Sequence, residues 1–124
     1  MLLDTNALYW ILKGDPRLGP SAREAVERAP SLLVSDISLL EIAIKVSVGK
    51  LPAVERLPAR LTGLGFDRTG ITDGALERLQ TLPVLHRDPF DRMLIAHALT
   101  ESLPVLTADA VFRQYGVRVV DASR

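Results

Sequence analysis

The sequence contains no cysteine, which excludes disulfide bonds, thiolate zinc sites and thiol nucleophiles. It also lacks any apolar run near the roughly 18 residues that a membrane-spanning helix needs, because even the apolar segment 37–48 includes Glu41 and Lys45. The N-terminus has no basic region followed by an apolar stretch, as a secretory signal peptide would. We therefore expect a soluble, cytoplasmic protein with no membrane partner.

The chain carries no net charge, since 15 Lys and Arg residues balance 15 Asp and Glu residues. Any contact with nucleic acid must therefore depend on a local basic patch or on bound metal. The clearest local surplus lies in residues 45–68, which hold Lys45, Lys50, Arg56, Arg60 and Arg68 against Glu55 and Asp67. Such a surplus more often marks a solvated face than a binding site.

Several catalytic motifs are also absent. The sequence has no G-x-x-x-x-G-K-[ST] phosphate-binding loop and no G-x-S-x-G nucleophile elbow, and it has only two histidines, His86 and His97. His86 lies at the entrance to a predicted helix, where it can contact a phosphate group. The interpretation of His86 as an ordinary surface residue is slightly favoured.

The pattern of apolar residues predicts an α/β fold. Short apolar runs alternate with stretches of helical periodicity, which is typical of βα units that feed a parallel sheet. We predict a single domain, residues 1–124, with three α/β/α layers around a parallel sheet of about five strands. Strands are predicted at 1–4, 31–35, 65–69, 104–107 and 117–120. Helices are predicted at 5–13, 20–29, 37–48, 53–63, 72–80, 89–101 and near 109–114.

Acidic side chains follow the predicted strands or open the helices after them. They are Asp4, Asp36, Glu41, Asp88, Asp91 and Asp109. Because α/β proteins bind ligands beyond the carboxyl ends of their strands, we expect these acids to lie near one another. Crowded carboxylates need a compensating charge, and Arg87 and Arg92 are the only obvious nearby cations. Mg²⁺ or Mn²⁺, which prefer oxygen ligands, are the expected partners.

Helix capping offers a structural interpretation of some of these acids. Asp4 or Asp109 alone is as readily a helix cap as a ligand. Ser38 and Glu41 fit the S-x-x-E capping box, and Glu41 can also pair with Lys45 one turn later, so Glu41 taken alone is better explained by structure than by catalysis. Capping does not explain why so many acids fall at one edge of the sheet.

The helix predicted from residue 89 separates two neighbouring acids. Asp88 precedes Pro89, which is the usual arrangement of a helix cap and a proline in the first turn, and a cap is the favoured interpretation. Asp91 shares an angular stripe with Ile95 and Ala98 on a helix with almost no polar face. We therefore expect Asp91 to point toward the strand ends.

Four segments occur in a characteristic order: L-L-D-T-N at 2–6, S-D-I-S-L-L-E-I at 35–42, H-R-D-P-F-D-R-M-L-I-A at 86–96 and L-T-A-D at 106–109. Together they resemble the PIN-domain family, and specifically its VapC-type toxins. The resemblance extends over nearly the whole chain, and the long third segment makes it far more specific than D-T-N alone. His97 departs from the pattern, which commonly has glutamine there.

The resemblance implies a PIN-like fold and a metal-dependent endoribonuclease, the toxin of a type II toxin–antitoxin pair, in which metal-activated water hydrolyses RNA phosphodiesters. The implied catalytic residues and ligands of Mg²⁺ or Mn²⁺ are Asp4, Glu41, Asp91 and Asp109. Further residues expected around them are Asp88, Thr5, Asn6 and Thr107. The resemblance also implies a cognate antitoxin protein and a homodimer.

The sequence also allows two alternative functions. An aspartyl-phosphate phosphatase would use Asp4 as its nucleophile, but such enzymes place a second aspartate where this chain has Asn6, and they do not account for Glu41. A PIN fold that binds RNA or a partner without cutting is the other alternative, and the presence of all four expected acids argues against it. The sequence does not distinguish between RNA substrates or between one and two metal ions.

Overall fold

A parallel sheet forms the centre of the computed structural model, which describes residues 1–124. Its strands are β1 (Leu2–Leu3), β2 (Leu33–Ser35), β3 (Asp67–Thr69), β4 (Val105–Thr107) and β5 (Val119–Asp121). They run parallel in the order β3-β2-β1-β4-β5. All five predicted strands are present. None of them extends more than one residue beyond its predicted range.

Helices connect and cover the strands. They are α1 (Thr5–Lys13), α2 (Pro20–Arg28), α3 (Asp36–Ser47), α4 (Leu57–Gly63), α5 (Asp73–Thr81), α6 (Pro89–Glu101) and α7 (Val111–Gln114). None of them combines the length and the apolar character that a bilayer-spanning helix requires.

Alternating side chains of the strands build two separate cores. Leu2 and Val105 pack into one apolar cluster, whereas their neighbours Leu3 and Leu106 pack into the other. Successive side chains of a strand point to opposite faces of a sheet, so both faces are covered. The predicted three-layer α/β/α arrangement is confirmed.

The strand order fixes where a ligand site can form. From β1 the chain moves outward to β2 and β3, and it then returns to place β4 on the other side of β1. Connections that leave neighbouring strands in opposite directions open a crevice at the carboxyl ends of those strands. Here that crevice lies beyond β1 and β4, which end next to Asp4 and close to Asp109.

Two helix starts differ from the prediction. The helix predicted at 53–63 begins only at Leu57, because Arg56 adopts a left-handed backbone conformation with φ of 51°, and Pro58 then occupies the first turn. The helix predicted near 109–114 begins at Val111, whose amide donates to the Asp109 carboxylate at 3.0 Å.

The predicted capping box is wrong. Helix α3 begins at Asp36, two residues before Ser38, and its cap is Ser35, whose hydroxyl accepts a hydrogen bond from the Ile37 amide at 3.1 Å. Ser38 is instead fully buried and accepts a hydrogen bond from Thr5 at 3.2 Å. Glu41 therefore has no capping function.

Candidate active site

Asp4 is held at the end of β1 by two hydrogen bonds. One carboxylate oxygen caps α1 by accepting from the Ala7 amide at 2.7 Å, and the other accepts from the Thr107 hydroxyl at the end of β4. The same Thr107 oxygen accepts a hydrogen bond from the Asp109 amide at 3.0 Å. Thr107 therefore ties the carboxylate that follows β1 to the backbone that follows β4.

Burial makes Asp4 hard to ionise. The residue is only 4% exposed, and desolvation raises the pKa of its carboxyl group from 3.8 to about 6. The hydrogen bonds from Thr107 and Ala7 lower this pKa, whereas the charges of Asp91 and Asp109 raise it further. Asp4 thus lies within electrostatic range of both of those acids.

Glu41 supplies a carboxylate from the second turn of α3 and is 6% exposed. Its Oε2 pairs with Lys45 Nζ at 2.6 Å, which confirms the predicted pairing. Its Oε1 is buried and has no hydrogen-bond partner. A buried carboxylate oxygen without a partner is energetically costly, so this atom is suited to bind a cation.

Asp88 and Asp91 occupy different positions at the start of α6. Asp88 caps the helix by accepting from the Asp91 amide at 3.0 Å, as predicted. The Asp91 side chain instead meets the His86 ring, with 2.8 Å between Oδ2 and Nε2. Burial raises the pKa of the Asp91 carboxyl group, the hydrogen bond with His86 lowers it, and the charges of Asp88 and Glu41 raise it.

Asp109 completes the group from the loop after β4, where it is exposed. One potential ligand atom each from His86, Asp91 and Asp109 lies within 4.8 Å of the other two. Asp4 and Glu41 are outside this 4.8 Å group, but the charges of Asp91 and Asp109 act on Asp4 and the charge of Glu41 acts on Asp91. Each of the four acids therefore lies within electrostatic range of at least one other, with Asp88 capping the helix beside Asp91.

Other acids and polar residues predicted for this edge lie outside the group. Asp36 forms an ion pair with Arg68. Thr5 donates to Ser38 inside the fold rather than to an acid, and Asn6 is exposed on the first turn of α1. Of the polar residues expected around the site, only Thr107 donates a hydrogen bond to a carboxylate of the group, that of Asp4.

Comparison with known proteins identifies the family. A model of the PIN domain matches residues 1–118. The chain belongs to the PIN-domain family. It is 28% identical to Ribonuclease VapC22 of Mycobacterium tuberculosis (strain ATCC 25618 / H37Rv) in an alignment that is 123 residues long. The alignment covers 93% of this chain and 91% of that protein.

Solved structures of similar fold include a toxin–antitoxin complex from Klebsiella pneumoniae. VapBC2 from Rickettsia felis, bound to promoter DNA, matches with a TM-score of 0.72 and 16% identity over 97% of this chain and 96% of that chain. DNA-bound VapBC from Salmonella typhimurium matches with a TM-score of 0.71, 22% identity and the same coverages. The predicted resemblance to VapC-type PIN domains and the predicted fold are both confirmed.

The charge balance of this PIN-domain site fits a divalent cation. Arg92, one of the two cations expected nearby, donates to backbone carbonyls and to the Tyr115 hydroxyl rather than to any carboxylate. Arg87 is exposed and forms no ion pair. Lys45 and His86 are the only basic side chains bonded to the acids of the site. The remaining carboxylate oxygens are ligands of the kind that Mg²⁺ and Mn²⁺ prefer.

The two histidines of the PIN domain lie in different environments. His86, taken from sequence as an ordinary surface residue, is bonded to Asp91. The signal for its position was its place in the 86–96 segment, two residues before the helix cap. His97, the departure from the family pattern, is buried in α6 and its Nε2 lies 2.6 Å from Glu101 Oε2, so it is part of the helix packing.

Proposed function

We propose that this PIN domain, residues 1–124, is a ribonuclease toxin that hydrolyses RNA phosphodiesters with Mg²⁺ or Mn²⁺ held by Asp4, Glu41, Asp91 and Asp109. The observation that carries the proposal is a set of partly buried carboxylates, one with an unpartnered buried oxygen, in the crevice beyond β1 and β4. Membership of the PIN family and similarity to Ribonuclease VapC22 support the substrate class.

A divalent cation bound there would lower the pKa of a water molecule and offset charge on the phosphoryl oxygens. The protein's own residues hold the ligands in place. Thr107 fixes the Asp4 carboxylate and the start of the loop that carries Asp109, and Asp88 fixes the first turn of α6 beneath Asp91. We expect both supports to act on ligand geometry rather than on substrate directly.

Two basic side chains that lie on or pair with α3 are suited to the RNA backbone. Lys45 lies on α3 beside Glu41, and Arg68 on β3 pairs with Asp36 at the start of the same helix. Phosphate contacts supply sequence-independent affinity and depend strongly on salt. We propose that these residues of the basic segment 45–68 position RNA in a chain that has no net charge.

Partner surfaces follow from the apolar residues of α3. Leu40, Ile44 and Val48 form an exposed stripe at a spacing of four residues, and we propose that this stripe contributes to a homodimer.

A groove of about 450 Å³ lies between α3 and α4, with Ile42 and Leu57 in its lining. We propose that it receives an apolar segment of a cognate antitoxin, because one solved structure of similar fold is a toxin–antitoxin complex. The toxin would act in the cytoplasm.

Mapping RNA ends in cells tests the proposed function. Brief expression of the wild type should create new 5′ ends at discrete sites, and expression of Asp4→Asn at the same level should not. Asparagine keeps the shape of the side chain and the α1 cap but removes the charge. Identical end profiles for the two proteins would refute the proposal and favour a PIN module that binds without cutting.

A further inference from the structure

The imidazole of His86 lies where a metal ligand would lie. Its ring nitrogen and one carboxylate oxygen each from Asp91 and Asp109 are within 4.8 Å of one another. An ion with bonds of about 2.0–2.2 Å separates its ligand atoms by about 3–4.4 Å. Small side-chain adjustments therefore suffice for all three residues to reach one ion.

The backbone that carries His86 is fixed from two sides. The Tyr115 hydroxyl accepts hydrogen bonds from the amides of Leu85 and His86, both at 2.9 Å, and donates to Pro83 O at 2.7 Å. The Arg92 guanidinium donates to the carbonyls of Pro83 at 2.9 Å and His86 at 3.2 Å. These bonds hold an irregular segment in one position, which is how a preorganised ligand is supported.

A separate atom indicates that a cation belongs in this group. Glu41 Oε1 is buried without a hydrogen-bond partner, and the charge of the Glu41 carboxylate acts on Asp91, so the two carboxylates lie within electrostatic range of each other. The His86 ring is itself bonded to Asp91. An ion next to Asp91 is therefore within reach of an imidazole nitrogen as well as of carboxylate oxygens.

We propose that His86 is a direct ligand, so that the centre is a mixed nitrogen–oxygen site that prefers Mn²⁺ to Mg²⁺. Mg²⁺ favours oxygen ligands and gives up its bound water molecules reluctantly. Imidazole nitrogen, by contrast, suits transition-metal ions. The inference rests on the proposed function, because it assumes that the carboxylates bind a divalent cation. It adds a ligand from outside the four acids and a preference between the two ions.

A positioning role for His86 is the competing interpretation. In that case the imidazole would only orient Asp91 through its hydrogen bond, and its loss would weaken the binding of Mg²⁺ and Mn²⁺ to a similar extent. A direct ligand predicts instead that Mn²⁺ binding suffers more than Mg²⁺ binding. It also predicts magnetic coupling between the ion and a ring nitrogen.

The test uses the whole protein loaded with Mn²⁺ and two matched variants. Electron spin-echo envelope modulation of bound Mn²⁺ should show coupling to ¹⁴N in the wild type. The coupling should disappear in His86→Asn and persist in His97→Gln, which changes the only other histidine. Absence of the coupling in the wild type, or its persistence in His86→Asn, would overturn the proposal. Thermal melts of both variants check that they fold.

Titration of the same proteins with Mn²⁺ and with Mg²⁺ gives an independent readout. His86→Asn should weaken Mn²⁺ binding by about tenfold or more and Mg²⁺ binding by clearly less. Equal losses for the two ions would overturn direct ligation. If the wild type binds Mn²⁺ in an Asp4-dependent manner but without nitrogen coupling, only this inference fails. If it binds neither ion, the proposed function fails with it.

Discussion

Replacing Asp4 with asparagine should stabilise the metal-free protein at neutral pH. Burial raises the pKa of Asp4 from 3.8 to about 6, so ionising this group in the folded state costs about 3 kcal/mol near pH 7. Asparagine removes that cost and still accepts from the Ala7 amide. It weakens the contact with Thr107, at a cost of about 1 kcal/mol. The net gain of about 2 kcal/mol corresponds to about 6–10 °C in Tm.

The pH dependence of this effect has a definite sign. Because the folded state raises the pKa, it binds the Asp4 proton more tightly than the unfolded state does. The stability that this proton contributes is complete below about pH 4 and is lost as the pH rises through about 6. The advantage of Asp4→Asn in EDTA should therefore shrink by about 2 kcal/mol between pH 7 and pH 4.5.

Thermal melts in EDTA and in Mn²⁺ measure both effects. At pH 7 in EDTA the variant should melt above the wild type, whereas saturating Mn²⁺ should stabilise the wild type by about 2.7 kcal/mol at one hundred times its Kd and leave the variant unchanged. A variant that melts below the wild type in EDTA at pH 7, or a difference that does not vary with pH, would refute the interpretation of Asp4 as a buried carboxylate that is costly to ionise.

Three further predictions concern the other residues of the site. Asp91→Asn should nearly abolish cleavage with little change in Tm, whereas Asp88→Ala should keep substantial activity and lose about 0.5–2 kcal/mol of stability; a dead but stable Asp88 variant would show that the ligand was assigned to the wrong carboxylate. Thr107→Val should raise the pKa of Asp4 further and weaken Mn²⁺ binding by about tenfold, and an unchanged titration would contradict the linking role of Thr107. Sequenced products should carry 5′-phosphate and 3′-hydroxyl ends, since water is the proposed nucleophile, and 2′,3′-cyclic phosphates would indicate attack by the RNA 2′-hydroxyl instead.

Much of the fold could be predicted because its signals are local. Each strand is a short apolar run, and the adjacent residues Asp88 and Pro89 mark the start of α6. The start of α4 could not be predicted in the same way, because the left-handed conformation of Arg56 leaves no trace in residue type. Ser38 was misread for a related reason: Ser35 is an equally good cap, and only the burial of Ser38 against Thr5 decides between them.

The candidate site combines local and long-range information. Chain order and strand position predict that Asp4 and Asp109 lie at one edge of the sheet. The hydrogen bond from the Thr107 hydroxyl to Asp4 joins residues 103 positions apart in sequence, so local patterns could not predict it. The same holds for His86, whose backbone amide donates a hydrogen bond to the Tyr115 hydroxyl, 29 residues away. Sequence patterns identify ligand types, whereas the support of those ligands depends on tertiary contacts.

Cleavage of total RNA by purified protein tests directly whether the carboxylate group makes this PIN domain a metal-dependent ribonuclease. The wild type in EDTA, the wild type with Mn²⁺ restored, and Asp91→Asn purified identically and given Mn²⁺ would be compared by sequencing the new RNA ends. We predict discrete cleavage sites only for the wild type with Mn²⁺. The same sites in EDTA, or with Asp91→Asn, would contradict the claim.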